Sequence, residues 1–245
     1  MLHFFSKTKF LVDFLEGMVD IHSHILPGID DGAQTVHESV QMIKMFQEFG
    51  INELVCTPHI MHNYYDNTPT TVEEAYRKLL DSLITENIQG VTVKYAAEHM
   101  IDDDFENKLE ENLIIPLNEN HLLIEMSYLQ PSINFDSAVE KIVQHGFFPV
   151  FAHPERYQYL NSDIANYMEF KSQGIKFQLN LLSLGGYYGA DAQKAAFQLL
   201  EGNFYEFLGS DAHNLRHLTA LKSIKLKECY AANLLRLIHN NRMLV

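Results

Sequence analysis

The sequence predicts an α/β protein built on a parallel sheet, and three observations carry that expectation. Seven short apolar runs alternate with longer amphipathic stretches along the chain. Gly50, Gly90, Gly146, Gly174 and Gly202 each follow a helical pattern and precede a strand-like run, where the left-handed turn at a helix end carries no Cβ penalty for glycine. No Pro/Ser-rich linker or shift in composition interrupts the alternation over 245 residues, a length that fits one large domain.

In chain order, Leu2–Gly17 reads as a helical extension occupying residues 1–17, ahead of a domain over 18–245. Val19–Ser23 is the first strand. Val36–Phe49 places Val36, Val40, Ile43 and Phe46 at three- and four-residue spacing, the stripe of a helix with one buried face. The strand Glu53–Cys56 follows, then a second helical stripe over Val72–Asn87 with Ala75, Leu79, Leu80 and Leu83. Further strands fall at Thr92–Ala97, Leu122–Met126, Phe148–Phe151, Lys176–Asn180 and Glu206–Gly209, with a helix at Ser137–Gln144 and a closing one at Lys222–Asn241. Such runs suit strands buried on both faces. The sheet is either closed as a barrel or open and doubly wound.

Charge narrows the function. Lys and Arg number 18 against 32 Asp and Glu, for a net charge of −14, which disfavours nucleic acid and anionic lipid as partners. No apolar run is long enough for a membrane span, and Met1 to Gly17 is interrupted by Asp13 and Glu16, unlike a signal peptide. Two cysteines, Cys56 and Cys229, give no disulfide framework. A cytoplasmic location is expected.

The chemistry sits where the strands end. The first runs into Asp20-Ile21-His22-Ser23-His24, with Asp30 and Asp31 in the loop beyond; the second ends in His59, the third in Glu98 and the fourth in Glu125. The fifth ends in His153-Pro154-Glu155-Arg156 and the seventh in Asp211-Ala212-His213. That edge of a parallel sheet or barrel is where active sites form. His22 and His24, two apart on a strand, point to the same side. Taken singly, His59 or His153 reads as hydrogen-bonded scaffolding, and Glu98 or Glu125 as a helix cap. Together, carboxylates and imidazoles with few cations nearby need divalent metal ions between them, and this donor set suits Zn²⁺, Mn²⁺ or Fe²⁺. Clustered divalent ions point to phosphoryl transfer. Arg156 is placed to hold phosphate, and Arg216, three residues after His213, is a second candidate.

His3, His37, His121, His217 and His239 read as structural, as do His99 and His145; His62 is expected to stay off substrate, and Tyr64, Tyr65, Tyr187 and Tyr188 fall in strand-end loops. A thiol phosphatase needs a Cys followed six positions later by Arg, but His62 and Leu235 occupy those places. No phosphate-binding G-x-x-x-x-G-K loop occurs.

Asp20-Ile21-His22-Ser23-His24-Ile25-Leu26-Pro27-Gly28-Ile29-Asp30-Asp31-Gly32-Ala33 closely resembles the opening motif of the bacterial capsule- and exopolysaccharide-locus tyrosine phosphatases of the polymerase-and-histidinol-phosphatase (PHP) superfamily. Thr57-Pro58-His59, Leu123-Ile124-Glu125-Met126-Ser127, His153-Pro154-Glu155-Arg156-Tyr157 and Ser210-Asp211-Ala212-His213-Asn214 are similar to later motifs, in order. The resemblance runs from about Met18 to the C-terminus. It implies a distorted (β/α)7 barrel of PHP type in one domain and a site of three divalent ions, Mn²⁺ in the family. By motif, one ion takes His22, His24, Glu98 and Asp211, a second Glu98, Glu125 and His153, and a third Asp31, His59 and His213. It also implies hydrolysis of phosphotyrosine by a metal-bridged hydroxide with Arg156 neutralising charge, and a bacterial tyrosine autokinase controlling polysaccharide export as partner. Rival expectations are a small-molecule phosphomonoesterase such as histidinol-phosphate phosphatase, or a non-catalytic metal-binding assembly module; homo-oligomerisation stays open.

Overall fold

The computed structural model describes residues 8–161 and 163–245. Strand β1 (Thr8–Phe10) stands outside a parallel barrel formed by β2 (Val19–Ser23), β3 (Glu53–Cys56), β4 (His59–Ile60), β5 (Thr92–Tyr95), β6 (Glu98–Met100), β7 (His121–Glu125), β8 (Phe148–Ala152), β9 (Lys176–Asn180) and β10 (Tyr205–Gly209). β2, β3 and β9 keep the bounds read from the sequence, and the others move by a few residues.

Hydrogen bonding divides the barrel into a sheet β2-β3-β5 and a sheet β4-β6-β7-β8-β9-β10. Only Thr57-Pro58 separates β3 from β4, and only Ala96-Ala97 separates β5 from β6. Pro58 has no N–H for the ladder, so the strand breaks there and resumes in the neighbouring sheet. Counting each broken strand once gives seven positions. The ring closes between β10 and β2, where Asp211 N donates to His22 O at 2.8 Å and His24 N to Ala212 O at 3.0 Å. The architecture is the distorted seven-fold barrel that the resemblance implied.

Helices α1 (Val36–Glu48), α2 (Pro69–Thr85), α3 (Phe105–Glu110), α4 (Phe135–Gln144), α5 (Ile164–Ser172), α6 (Leu181–Leu184), α7 (Ala190–Glu201) and α8 (Leu215–Ser223) connect the strands. A capping box starts α1: Thr35 accepts from Glu38 N at 3.2 Å while Glu38 accepts from Gln34 N at 2.7 Å. Such a cap contributes about 1 kcal/mol. The face it sets inward buries Val40, Ile43 and Phe46 completely.

Two expectations at the chain ends are corrected. Over its described part, the expected N-terminal helix is a strand and a single 3-10 turn, Leu11–Phe14; residues 1–7 lie outside the described residues. β1 pairs antiparallel with β11 (Lys225–Lys227), Phe10 opposite Lys225, and Leu11 N donates to Ile224 O. The helical spacing of Leu11 and Leu15 is real, but it arises because both are buried from a short turn. At the other end, β11 interrupts the expected closing helix, and α9 (Ala231–Leu244) begins only after it. Asn241 ties α9 to the barrel by donating to Val19 O and Leu208 O. Gly202 also departs from expectation. Its φ is −75°, and Asn203 takes the left-handed position at φ 57° instead, a conformation that asparagine tolerates.

Candidate metal centre

The barrel brings all six predicted strand ends to one rim. β2 delivers His22 and, just beyond it, His24; β4 delivers His59, β6 Glu98, and β7 Glu125. His153 follows β8, while Asp211 and His213 follow β10. The remaining strand, β9, ends in Asn180, whose Nδ2 donates to Asp211 Oδ2 at 2.7 Å. His153 and Asp211 both leave their strands with left-handed backbone, φ 37° and 50°. That costs about 1–2 kcal/mol each. Neighbouring strands hold the turn, through His153 N to Gln178 O at 2.9 Å and Asp211 N to His22 O at 2.8 Å.

Three groups of donor atoms result. His22, His24, Glu98 and Asp211 form a fully buried one; His24, Asp31, His59 and His213 form a second nearer the surface; His59, Glu98 and Glu125 form a third. Eight of the nine expected ligand residues fall in these groups; the deep group matches the motif-based one, the outer group adds His24, and the third differs. His59 Nδ1 lies 2.8 Å from Glu125 and 3.2 Å from Glu98, joining the group where His153 was expected. His153 lies outside these groups; its Nε2 is 2.9 Å from Glu98 Oε1 and 3.3 Å from Tyr128 Oη.

Hydrogen bonds behind the cluster set the imidazole tautomers. Gln178 Nε2 donates to Leu179 O, so its Oε1 faces His22 and must accept from Nδ1, at 2.8 Å. Asp30 Oδ2 accepts from His24 Nδ1 at 2.8 Å. Both Nε2 atoms are left with bare lone pairs only 3.2 Å apart, and both face Glu98 Oε2 and Asp211 Oδ1 at 3.2–3.5 Å. Glu98 Oε2 and His59 Nδ1, both buried, have no hydrogen-bond partner. Converging acceptors with nothing positive between them repel. Divalent cations fit this donor set, with outer-sphere carboxylate and amide groups orienting the rings.

Electrostatics agree. Burial opposes ionisation of Glu98, yet His22 and His59 hold its carboxyl well below the usual range. Burial also opposes ionisation of Asp211, which His22 and His24 hold well below the usual carboxylate range. Burial pulls His24 down, but Asp30, with Asp211 and Glu98, raises it well above the ordinary imidazole value. The field at the rim therefore favours positive charge, whether metal or proton.

Above the cluster opens a cavity of about 310 Å³ lined by Asp31, His59, His153, Asp211 and His213 together with Arg156. Arg156 Nη1 donates to Asp211 Oδ2 at 2.7 Å, and its guanidinium lies over the rings of Tyr188 at 3.9 Å and Tyr128 at 4.5 Å. Arg216 is not part of this arrangement. It is exposed on α8 and lines a separate depression with Glu38 and Met42, because the helix cap at Asn214 turns the chain away from the rim.

His217, read from sequence as structural, lines the cavity beside His213. No role is assigned from sequence to Asp30, Gln178, Asn180 or Tyr128, although Asp30 and Asn180 lie in segments that resemble family motifs. His99 is structural as expected, its ring bonded to Leu123 O and Ile115 N. His62 stays outside the cavity, its backbone N–H donating to Asp102.

The capsular polysaccharide synthesis family CpsB/CapC matches residues 18–238. The chain belongs to the CpsB/CapC family. Among relatives, the tyrosine-protein phosphatase YwqE of Bacillus subtilis is 32% identical over 200 residues, covering 81% of this chain and 78% of that protein. The putative tyrosine-protein phosphatase CapC of Staphylococcus aureus is 28% identical over a similar span, 81% of this chain and 78% of its own length. A solved structure from work on YwqE and on CpsB of Streptococcus pneumoniae, described as metal-dependent tyrosine phosphatases, is 30% identical. It superposes with a TM-score of 0.83 over 93% of this chain and 94% of that one. Among the described residues of this CpsB/CapC member, no helix is long and apolar enough to cross a membrane.

Proposed function

We propose that this chain is a metal-dependent protein-tyrosine phosphatase acting on a bacterial tyrosine autokinase in capsule or exopolysaccharide synthesis. The observation that carries the reading is the convergence of bare imidazole nitrogens and carboxylates directly beneath Arg156. Its relatives' names point to the same substrate class. Divalent ions bound there, in this reading three and most simply Mn²⁺, would supply a nucleophile at neutral pH and neutralise phosphoryl charge. His22, His24, Glu98 and Asp211 would hold the deepest ion, Glu98 with Glu125, His59 and His153 a second, and Asp31, His59 and His213 the outermost. Arg156 offers its remaining N–H groups to the phosphoryl oxygens, a task suited to a planar guanidinium. Tyrosine is a fair leaving group with pKa ≈ 10, so little proton donation is needed. An exposed Cys229 alongside a free Cys56 fits a reducing cytoplasm.

Purified protein loaded with Mn²⁺ is expected to hydrolyse p-nitrophenyl phosphate and phosphotyrosine peptides. It should lose both activities on dialysis against chelator and regain them with Mn²⁺. Histidinol phosphate should be turned over at least about tenfold more slowly than peptide. Faster hydrolysis of histidinol phosphate would instead make this a small-molecule phosphatase.

Thiol chemistry makes a second, sharper expectation. Cys56 is fully buried on β3, and burial pushes its thiol well above the usual range; the reactive thiolate is the form disfavoured there. Replacing Cys56 and Cys229 together by Ala should leave kcat for p-nitrophenyl phosphate within about twofold, measured by steady-state kinetics. A large loss with metal content intact would contradict the metal-based reading.

A further inference from the structure

His59, Glu98 and Glu125 reach the metal centre, and in each case the residue two positions further on, Met61, Met100 or Ser127, lines a second cavity of about 640 Å³. Two extended residues span ~7 Å, so this larger cavity begins at the rim where the reacting phosphate must lie. We propose that it is a substrate subsite for Lys or Arg residues flanking the phosphotyrosine, an inference that rests on the phosphatase reading above.

Charge is the first support. Asp102, Asp103, Glu106 and Glu110 line the cavity with a single cation, Lys141. That ammonium is already engaged by Glu106 at 2.8 Å and Glu110 at 2.5 Å. Asp102 accepts only from neutral backbone N–H groups, of His62 at 2.8 Å and Asp104 at 3.0 Å, and Asp103 is exposed. The negative charge is therefore uncompensated on this side of the rim, while Arg156 supplies the positive charge on the other. A segment carrying phosphate next to basic side chains matches both halves. Its Lys or Arg residues two or three positions from the phosphotyrosine reach the acidic wall.

The cavity is also built in advance. Ser132 Oγ donates to Ile101 O at 2.6 Å and Asn134 Nδ2 to Asp102 O at 2.9 Å, fixing the loop after β7 to the floor. That loop presents Ile133, fully exposed, at the edge. An apolar side chain so placed can cover the stem of a bound Lys residue.

The test uses the Mn²⁺-loaded full chain and two phosphotyrosine peptides that differ only in Lys or Glu at the second and third positions on both sides. The Lys peptide should show kcat/KM about fivefold higher at low salt, with the preference shrinking as ionic strength rises. The double variant Asp103→Lys with Glu110→Lys should remove or reverse the preference, and the milder Asp103→Asn with Glu110→Gln should reduce it. Hydrolysis of p-nitrophenyl phosphate, which carries no flanking residues, should be unchanged in both variants. Equal rates on the two peptides, or a preference undiminished in either variant, overturns the subsite while leaving the phosphatase intact. Failure of the native holoenzyme on p-nitrophenyl phosphate would overturn the phosphatase reading itself, and the subsite with it.

Discussion

Replacing Glu98 by Gln should strip the centre of most of its metal and lower kcat/KM by about a thousandfold, without unfolding the barrel. Glu98 is fully buried and is the carboxylate common to the deep group and to the group with Glu125. Its Oε2 lies 3.2 Å from both His22 and His59, and its Oε1 is 2.9 Å from His153. Glutamine keeps the shape but removes the charge and turns two donor hydrogens toward nitrogens that need an electrophile. With the anion gone, the raised proton affinity of His22, His24 and His59 falls, and cations held there would lose a carboxylate that two donor groups share. Metal content by mass spectrometry and circular dichroism on the same sample separate this outcome from misfolding. A Glu98→Gln protein with native metal content and turnover would remove Glu98 from the centre.

How much of this was legible follows from how local each signal is. β2, β3 and β9 are legible because each is a short, almost wholly buried segment lying between helical patterns. Eight of the nine candidate ligands meet because strand ends converge in a closed barrel, so residues far apart in sequence share a rim. The deep group is legible from the motifs; the place of His59 is not. The break at Thr57-Pro58 carries His59 from one sheet to the next and sets its ring against Glu98 and Glu125, and a list of motifs does not encode that displacement.

The N-terminal segment was misread for the opposite reason. β1 exists through its partner β11 at the far end of the chain, an interaction with no local signature. No role is legible for Gln178 or Asn180, although Asn180 opens a segment similar to a family motif, because an amide in a buried strand looks like any tolerated polar residue. Only the placement of Gln178 against His22 and of Asn180 against Asp211 shows what each fixes.

Arg156 is where removing one side chain should separate metal binding from turnover. Arg156→Ala should lower kcat/KM about a hundredfold or more on p-nitrophenyl phosphate and on peptide alike, while metal content stays native. The separation is expected because Asp211, the carboxylate that Arg156 contacts, keeps Asn180 Nδ2 at 2.7 Å and its place against His22 and His24 after the change. Arg156→Lys should recover little. The guanidinium is held flat between Tyr188 and Tyr128 while donating to Asp211, and a lysine ammonium is a point charge that cannot stack and fork at once. Arg216→Ala, on the exposed face of α8 outside the cavity, should stay within about twofold of native, as surface charges usually do. If Arg156→Ala retained native kcat, the metal centre alone would have to neutralise the phosphoryl group. If it lost metal as well as rate, Arg156 would act through Asp211 rather than on substrate. Steady-state kinetics and metal analysis on the same three variants decide among these outcomes.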